Sequence, residues 1–327
     1  MAEKIRAAVL GIGHSHASGK VGVLQASEDF ELVGVCEPDE AVRKSRGNDA
    51  AYKEVTWLGL DAVLGDESIQ LIVIETHVWE NLRYAAMAVE AGKHVHLDKP
   101  PGNDLNTLAK LFERAARKHL HIQMGYMWRY NAGFDFAINA AKKGWLGQVY
   151  LVRGTVNSII SPVHRVQLAR YQGGMMFELG CHILDRMIAL LGEPTKVTPY
   201  LRHDNPDQDE LADNTLAVFE FGKAMAVLSS SARQAGAFGF RSFEVIGTAG
   251  TVQVQPLEPP KVRLILDKPQ AGFKAGSQEV MVRDRGRYEG DFEEFARVLR
   301  DGATPSFTPK HDLIMHRALL AACGQLG

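Results

Sequence analysis

The run Ile5-Arg6-Ala7-Ala8-Val9-Leu10-Gly11-Ile12-Gly13-His14-Ser15-His16 decides how the first third of the chain folds. Ile5 to Leu10 reads as a short apolar strand, and the two glycines break it. A helical pattern follows from Ser18 to about Ala26. A second strand runs from Glu31 to Val35 and ends at Glu37. Strand, glycine turn, helix, strand and acid, in that order, make a dinucleotide-binding unit. Gly11 allows the tight turn, and Gly13 lets the backbone approach a pyrophosphate. Amides at the helix N-terminus then hold the phosphates. Gly11, Ile12, Gly13, His14, Ser15 and His16 are therefore the expected cradle, with the two histidines as cofactor-side packing rather than catalysts. Glu37 lies where a carboxylate accepts hydrogen bonds from ribose hydroxyls. It also repels a 2′-phosphate, so NAD is the expected cofactor and NADP the alternative. His16 fills the third glycine position of the fingerprint.

Working outward, the alternation continues. Helices are expected from about Asp39 to Tyr52 and near Leu58 to Leu64. Ile69 to Glu75 is an almost continuous apolar strand, as expected where both faces are covered. Trp79 to Ala91 is helical, with Gly92 as its stop. His94 to Leu97 is a strand ending in Asp98-Lys99-Pro100-Pro101. A helix from about Leu105 to Lys118 and a strand from Leu120 to Met124 complete the unit. Strands alternating with helices predict an α/β fold, a doubly wound parallel sheet. Ligands on such sheets bind beyond the carboxyl ends of the strands. Gly11 to His16, Thr76-His77 and Asp98-Lys99 are therefore expected to converge on one cleft. A lysine there, near a positive nicotinamide ring, would have a depressed pKa and could shuttle a proton.

The 327 residues suffice for two domains, expected at 1–125 and 126–327. A hydrophobic content of 46%, a charged content of 23% and a net charge of −2 give no sign of a nucleic-acid or anionic-membrane partner. Cys36, Cys181 and Cys323 are far apart and form no CxxC pair, which fits a reducing compartment. With no apolar run near the roughly 20 residues of a bilayer span, the expected location is the cytoplasm.

After Met124 the pattern changes. A helix is expected from about Ala132 to Lys142 and a strand from Gly147 to Asn157. Ser158 to Gln172 reads as irregular. Strand-like runs follow at Thr195–Leu201, Asn214–Phe221, Ala224–Ala232, Ser242–Ile246 and Thr251–Gln255, joined by short turns. Helices close the chain at about Gly290–Arg300 and Lys310–Gly324. This is a C-terminal α+β domain with a large, mostly antiparallel open sheet. Its uncovered face predicts a homodimer or homotetramer. Within it, Gly173-Gly174-Met175-Met176-Phe177-Glu178-Leu179-Gly180-Cys181-His182-Ile183-Leu184-Asp185 reads as a helix whose one face carries Glu178, His182 and Asp185. Glu178, His182 and His164 raise the question of zinc or manganese. No third ligand stands at a diagnostic spacing, so no metal is expected.

Ala91-Gly92-Lys93-His94-Val95-His96-Leu97-Asp98-Lys99-Pro100 resembles the AGKHV…EKP segment of the Gfo/Idh/MocA oxidoreductases. That family is named for glucose–fructose oxidoreductase, inositol dehydrogenase and a rhizopine-catabolism protein. Gly173 through Asp185 resembles its GGG…D.G.H..D segment. Met124-Gly125-Tyr126-Met127-Trp128-Arg129-Tyr130-Asn131 resembles its domain junction, and Gly247-Thr248-Ala249-Gly250-Thr251 its late glycine turn. The resemblance covers essentially the whole chain. It implies a dinucleotide-binding domain, an open-sheet substrate domain, and hydride transfer between NAD(P) and a sugar, polyol or related small molecule. It implies Lys99 and His182 as catalytic, with Glu178 holding the substrate or tuning the imidazole. Asp98 and Glu178 each swap one acid for the other, and Met175 replaces a common third glycine. Thr76-His77-Val78 replaces threonine–proline–asparagine, and Asn81 stands where a histidine is common. Expected cofactor contacts are thus the turn, Glu37, Thr76, His77, Asn81, Asp98 and Lys99. Expected substrate contacts are Arg129, Asn157, His164, Tyr171, Glu178 and Asp185. A nucleotide-responsive regulatory protein without turnover is the other reading.

Overall fold

Strand β1 (Ile5–Leu10) is buried along nearly its whole length, so it needs cover on both faces. The computed structural model, which describes residues 3–204 and 209–326, provides that cover. With β2 (Phe30–Cys36), β3 (Leu71–Ile74), β4 (His94–Leu97) and β5 (Ile122–Met124), β1 forms a five-stranded parallel sheet ordered β2-β1-β3-β4-β5. The order reverses between β1 and β3, which makes the carboxyl ends there the switch point where such sheets bind ligands. Helices α1 (Ala17–Ala26), α2 (Glu40–Arg46), α3 (Leu60–Gly65), α4 (Asn81–Glu90) and α5 (Leu105–Arg117) alternate with the strands. Asp39 caps α2 through the amides of Ala41 and Val42, and Asp104 caps α5 through Thr107. The expected Asp39–Tyr52 helix is shorter than its pattern: α2 stops at Arg46, and a separate 3₁₀ turn covers Ala50–Tyr52.

The second unit holds an eight-stranded sheet. Its strands are β6 (Val149–Thr155), β7 (Lys196–Arg202), β8 (Asn214–Glu220), β9 (Met225–Ser231), β10 (Ser242–Gly247), β11 (Gly250–Leu257), β12 (Pro260–Leu266) and β13 (Gly276–Val280). The order is β13-β12-β11-β10-β6-β9-β8-β7, antiparallel except for the β6–β9 pair. Helix α6 (Ala132–Lys142) packs Phe134 on Phe243, ring centroids 4.8 Å apart. Helix α7 (Pro162–Leu168) lies inside the stretch expected to be irregular. Ser161 caps it, Pro162 takes its first turn, and Arg165 is held by Asp209 and Asp213. Helix α8 (Cys181–Leu191) sets Ile183 and Met187 against Gly154 of β6. The short α9 (Ala237–Phe240) follows β9. Tyr200, Met225 and Ile265 project from the other face of the sheet and are exposed. Among the described residues no helix is long and apolar enough to cross a membrane.

One boundary corrects the expected domains. Residues 286–313 cluster with the first unit, which otherwise ends at Met127, and the second unit is Trp128–Arg285 with the chain from Ile314. The cause is the apolar face of α10 (Glu289–Asp301). Phe292 stacks on His96 of β4 with centroids 5.0 Å apart and meets Phe30 of β2 edge-on at 5.6 Å. Arg300 adds a hydrogen bond to Asp29 at 2.8 Å. The last helix, α11 (Pro309–Ala322), follows. Phe292→Ala should cost about 3–5 kcal/mol of stability, read from urea unfolding. A loss below about 1 kcal/mol would mean that α10 is not part of this core.

Candidate active site

Gly11 carries φ +94°, and a Cβ there would lie 2.6 Å from the Thr76 amide nitrogen. No other residue fits both the conformation and the gap. The turn is held from below by Glu37. One carboxylate oxygen accepts from the Ile12 amide at 2.6 Å and the other from Asp39 at 2.8 Å. Burial pushes the Glu37 carboxyl above its ordinary range. Arg46, which sequence reasoning missed, donates to the carbonyls of Gly13 (2.9 Å) and His14 (3.3 Å). Thr76 donates its hydroxyl to Asn81, whose amide donates to the carbonyls of Asp98 and Pro100. His77 stacks on Trp79 with centroids 4.3 Å apart. Ser15 is exposed on the turn.

Beneath the turn lies a cluster of buried charge. Lys20 of α1 has no solvent exposure, and neither do Glu75, Asp98 and Lys99 at the strand ends. The Lys20 ammonium lies 2.5 Å from Glu75 Oε1 and 2.8 Å from Asp98 Oδ1. His14 Nδ1 pairs with Asp98 Oδ2, and His16 Nδ1 lies 3.2 Å from Asp98 Oδ1. Burial alone would raise Asp98, but His14, Lys20 and His16 hold its carboxyl well below the ordinary value. Burial would lower Lys20; Asp98 and Glu75 outweigh it and raise the ammonium. Burial lowers His16 to about 3, so its imidazole is neutral. Glu75 goes the other way: burial and the Asp98 charge push it up to about 7. The three strand ends expected to converge, at the turn, Thr76-His77 and Asp98-Lys99, are thus wired together by hydrogen bonds.

In the second unit, the expected helix around His182 is partly a π-helix. Met176–Gly180 has the wider π turn, and α8 begins at Cys181. Such turns are rare inside helices and frequent at functional sites. Glu178, half-buried, sits in the π turn, and His182, buried, sits in the first turn of α8. The His182 ring is 5.0 Å from that of Trp128. Asp185 is clamped by two guanidinium groups. Arg129 Nη2 donates at 2.7 Å to one oxygen, and Arg186 Nη2 at 2.7 Å to the other. Asn157 donates to Gln234, and its carbonyl accepts from Arg241. Tyr171 is buried and stacks on Phe177 at 4.8 Å. His164 is exposed on α7, its amide directed at Ser161.

Two profiles of one family match this chain. The NAD-binding Rossmann-fold oxidoreductase profile covers residues 5–126, and the GFO/IDH/MocA C-terminal domain profile covers 136–253. The chain belongs to the Gfo/Idh/MocA family. It is similar to the uncharacterized oxidoreductase YhhX of Escherichia coli, 31% identical over 53% of this chain and 49% of that one. It is also similar to the scyllo-inositol 2-dehydrogenase (NAD(+)) of Bacillus subtilis, 25% identical over 94% of this chain and 90% of that one. The chain spans about half the length of several curated relatives it matches. Among solved structures, an Agrobacterium radiobacter oxidoreductase in complex with NAD+, L-tartaric acid and magnesium superposes with a TM-score of 0.84. That match is 16% identical, covers 99% of this chain and 96% of that one, and speaks to the fold alone.

Within this Gfo/Idh/MocA chain, sequence reasoning missed Lys20, Glu75 as a charged partner, Arg186 and Tyr288. For Lys20 a signal existed. It lies on the stripe Ala17, Lys20, Val21, Leu24, all of it buried, where a lysine has no place unless it is paired. Glu75 yields a test with a definite sign. Its folded value, about 7, is above the ordinary 4.5, so the folded chain holds that proton more tightly. The contribution is fully present below about pH 4.5 and is lost as pH rises through about 7. Urea unfolding at pH 5 and pH 8 should therefore show a fall on the order of 2–3 kcal/mol from this group, absent in Glu75→Gln. Equal falls in both proteins would refute the assignment.

Proposed function

We propose that this protein is a nicotinamide-dependent dehydrogenase acting on CH–OH groups. The observation that carries the reading is the glycine turn tied to Glu37 at the switch point of a parallel sheet. A Cβ at Gly13 would lie 3.0 Å from the His77 amide nitrogen, so glycine lets the turn pack closely on the Thr76-His77 strand end. Glu37 supports NAD as the cofactor, with NADP as the alternative. When bound, the nicotinamide ring supplies the hydride acceptor or donor.

The remaining chemistry falls to this chain's side chains. On this reading Lys99 and His182 handle the proton of the substrate hydroxyl. An imidazole can take up and return a proton around neutral pH, which suits that task. Glu178 orients the imidazole or binds a neighbouring hydroxyl. Arg129, Asn157, His164, Tyr171 and Asp185 shape or line the substrate side, with Asp185 acting through its clamp on Arg129. The substrate class is a sugar, polyol or related hydroxy compound, in keeping with the inositol dehydrogenase among its relatives. A second copy covering the exposed sheet face gives a homodimer or homotetramer. A screen of sugars, inositols and hydroxy acids for NAD(P)-linked absorbance change tests the reading, and at least one should turn over. Lys99→Met and His182→Ala should each lower kcat by roughly 100-fold or more while NADH still binds. A double variant with full turnover would sink the assignment. A parent that binds NADH and turns over nothing on the panel would favour a regulatory protein of the same fold.

A further inference from the structure

Five ionisable side chains meet under the glycine turn, and the family reading uses only some of them. Lys20 is the cation at the centre of the group. It reaches from the first helix to both strand ends, 2.5 Å from Glu75 and 2.8 Å from Asp98. It is closed in on two sides. Tyr288 lies over it, 5.7 Å from ammonium to ring centroid, and packs so close to α1 that a Cβ at Gly19 would fall 2.6 Å from its ring. On the other side is Gly125, where a Cβ would lie 2.9 Å from the ammonium and 3.0 Å from Asp98. His14, His16 and Asp98 also offer three ligand atoms within 4.8 Å of one another, the arrangement of a small metal site. The ammonium already holds the position on Asp98 that a metal ion would have to share. Lys20 is the resident counter-cation of this cluster.

We propose that Lys20 is a positioning residue for the dinucleotide site: its charge, held between Glu75 and Asp98, locks the glycine turn and the Asp98-Lys99 strand end into one rigid piece. The inference rests on the dinucleotide reading above and adds a residue and a mechanism to it. Two carboxylates a few ångströms apart in a dry interior repel strongly, and one cation between them removes most of that cost. His14 and His16 are fastened to Asp98, so whatever moves Asp98 moves the turn. Lys99 is the next residue in the chain, so the same movement shifts its backbone. The groups facing Lys20 are Glu75 and Asp98 from the strand ends, Tyr288 from the returning segment, and the buried His96 of β4, whose Cε1 lies 2.9 Å from the same Gly125 Cβ position as the ammonium. His14 and His16 reach it through the shared Asp98.

The test is a charge cycle read by NADH fluorescence titration at pH 6 and pH 10 on the full chain. Lys20 holds the Glu75 carboxyl down, so its loss pushes that carboxyl further up. Lys20→Met should weaken NADH binding at least tenfold at pH 10 and recover most of it at pH 6, where a proton on Glu75 stands in for the lost cation. Lys20→Met/Glu75→Gln, which removes one charge of each sign, should bind like Glu75→Gln at both pH values. A packing role would give a loss that is independent of pH and unrepaired by Glu75→Gln, and that result overturns the proposal. If Lys20→Met fails to fold while the double variant folds, the charge role stands; if neither folds, packing is the cause and the proposal fails. Should the parent bind no NADH or NADPH, the dinucleotide reading falls. Urea midpoints then decide for Lys20 alone. A midpoint in Lys20→Met that rises from pH 10 to pH 6 relative to the parent supports the lock, and a parallel profile overturns it.

Discussion

The ammonium of Lys20 between Glu75 and Asp98 is the interaction on which the first unit depends. A parallel sheet gathers its strand ends at one edge, and backbone bonds alone do not fix how those ends are spaced. Here β1 ends in a turn carrying His14 and His16, β3 ends before Glu75, and β4 ends before Asp98. Asp98 accepts from Lys20 and lies against both histidines. Such a group costs several kcal/mol to desolvate per ion and is repaid only if every member is paired. Its worth is therefore in specifying one arrangement of the turn rather than in adding net stability. The returning helix α10 shields it, because Phe292 and Tyr288 close the sheet and α1 against water.

The second unit solves a comparable problem with different parts. Asp185, at 0% exposure, is held by Arg129, which reaches both of its oxygens, and by Arg186, which takes Oδ2. That fixes the first turns of α8, the helix that carries His182. The π turn at Met176–Gly180 precedes it and changes the angular step between Glu178 and His182.

Much of the fold was legible. The order of strand, glycine turn, helix, strand and acid is local, and local patterns survive into structure. Glu37 reads as a partner for ribose hydroxyls; its hold on the Ile12 and Asp39 amides is a local contact the pattern does not announce. The sequence reading did not see β12 and β13: β12 alternates buried residues with exposed Lys261, Arg263 and Ile265, and β13 is a short, mostly exposed edge strand. It took α7 for irregular chain because three of its seven residues are polar and its anchor, Arg165, pairs with acids 44 and 48 positions away. It placed 286–313 in the wrong unit because contact between α10 and β4 spans nearly 200 residues of chain, and no periodicity encodes that. The site was read through its motif residues, and the groups that support them stayed hidden. Lys20 sat in plain view on an apolar stripe, and only its partners give it meaning.

A crystal structure of the protein grown with NADH tests the central claim most directly. The account predicts the pyrophosphate against the Gly11–His16 turn, a ribose within hydrogen-bond reach of Glu37, and the Lys20–Asp98–Glu75 contacts unchanged beneath it. A nucleotide bound elsewhere, or bound at the turn only after Lys20 has left the two carboxylates, would contradict it.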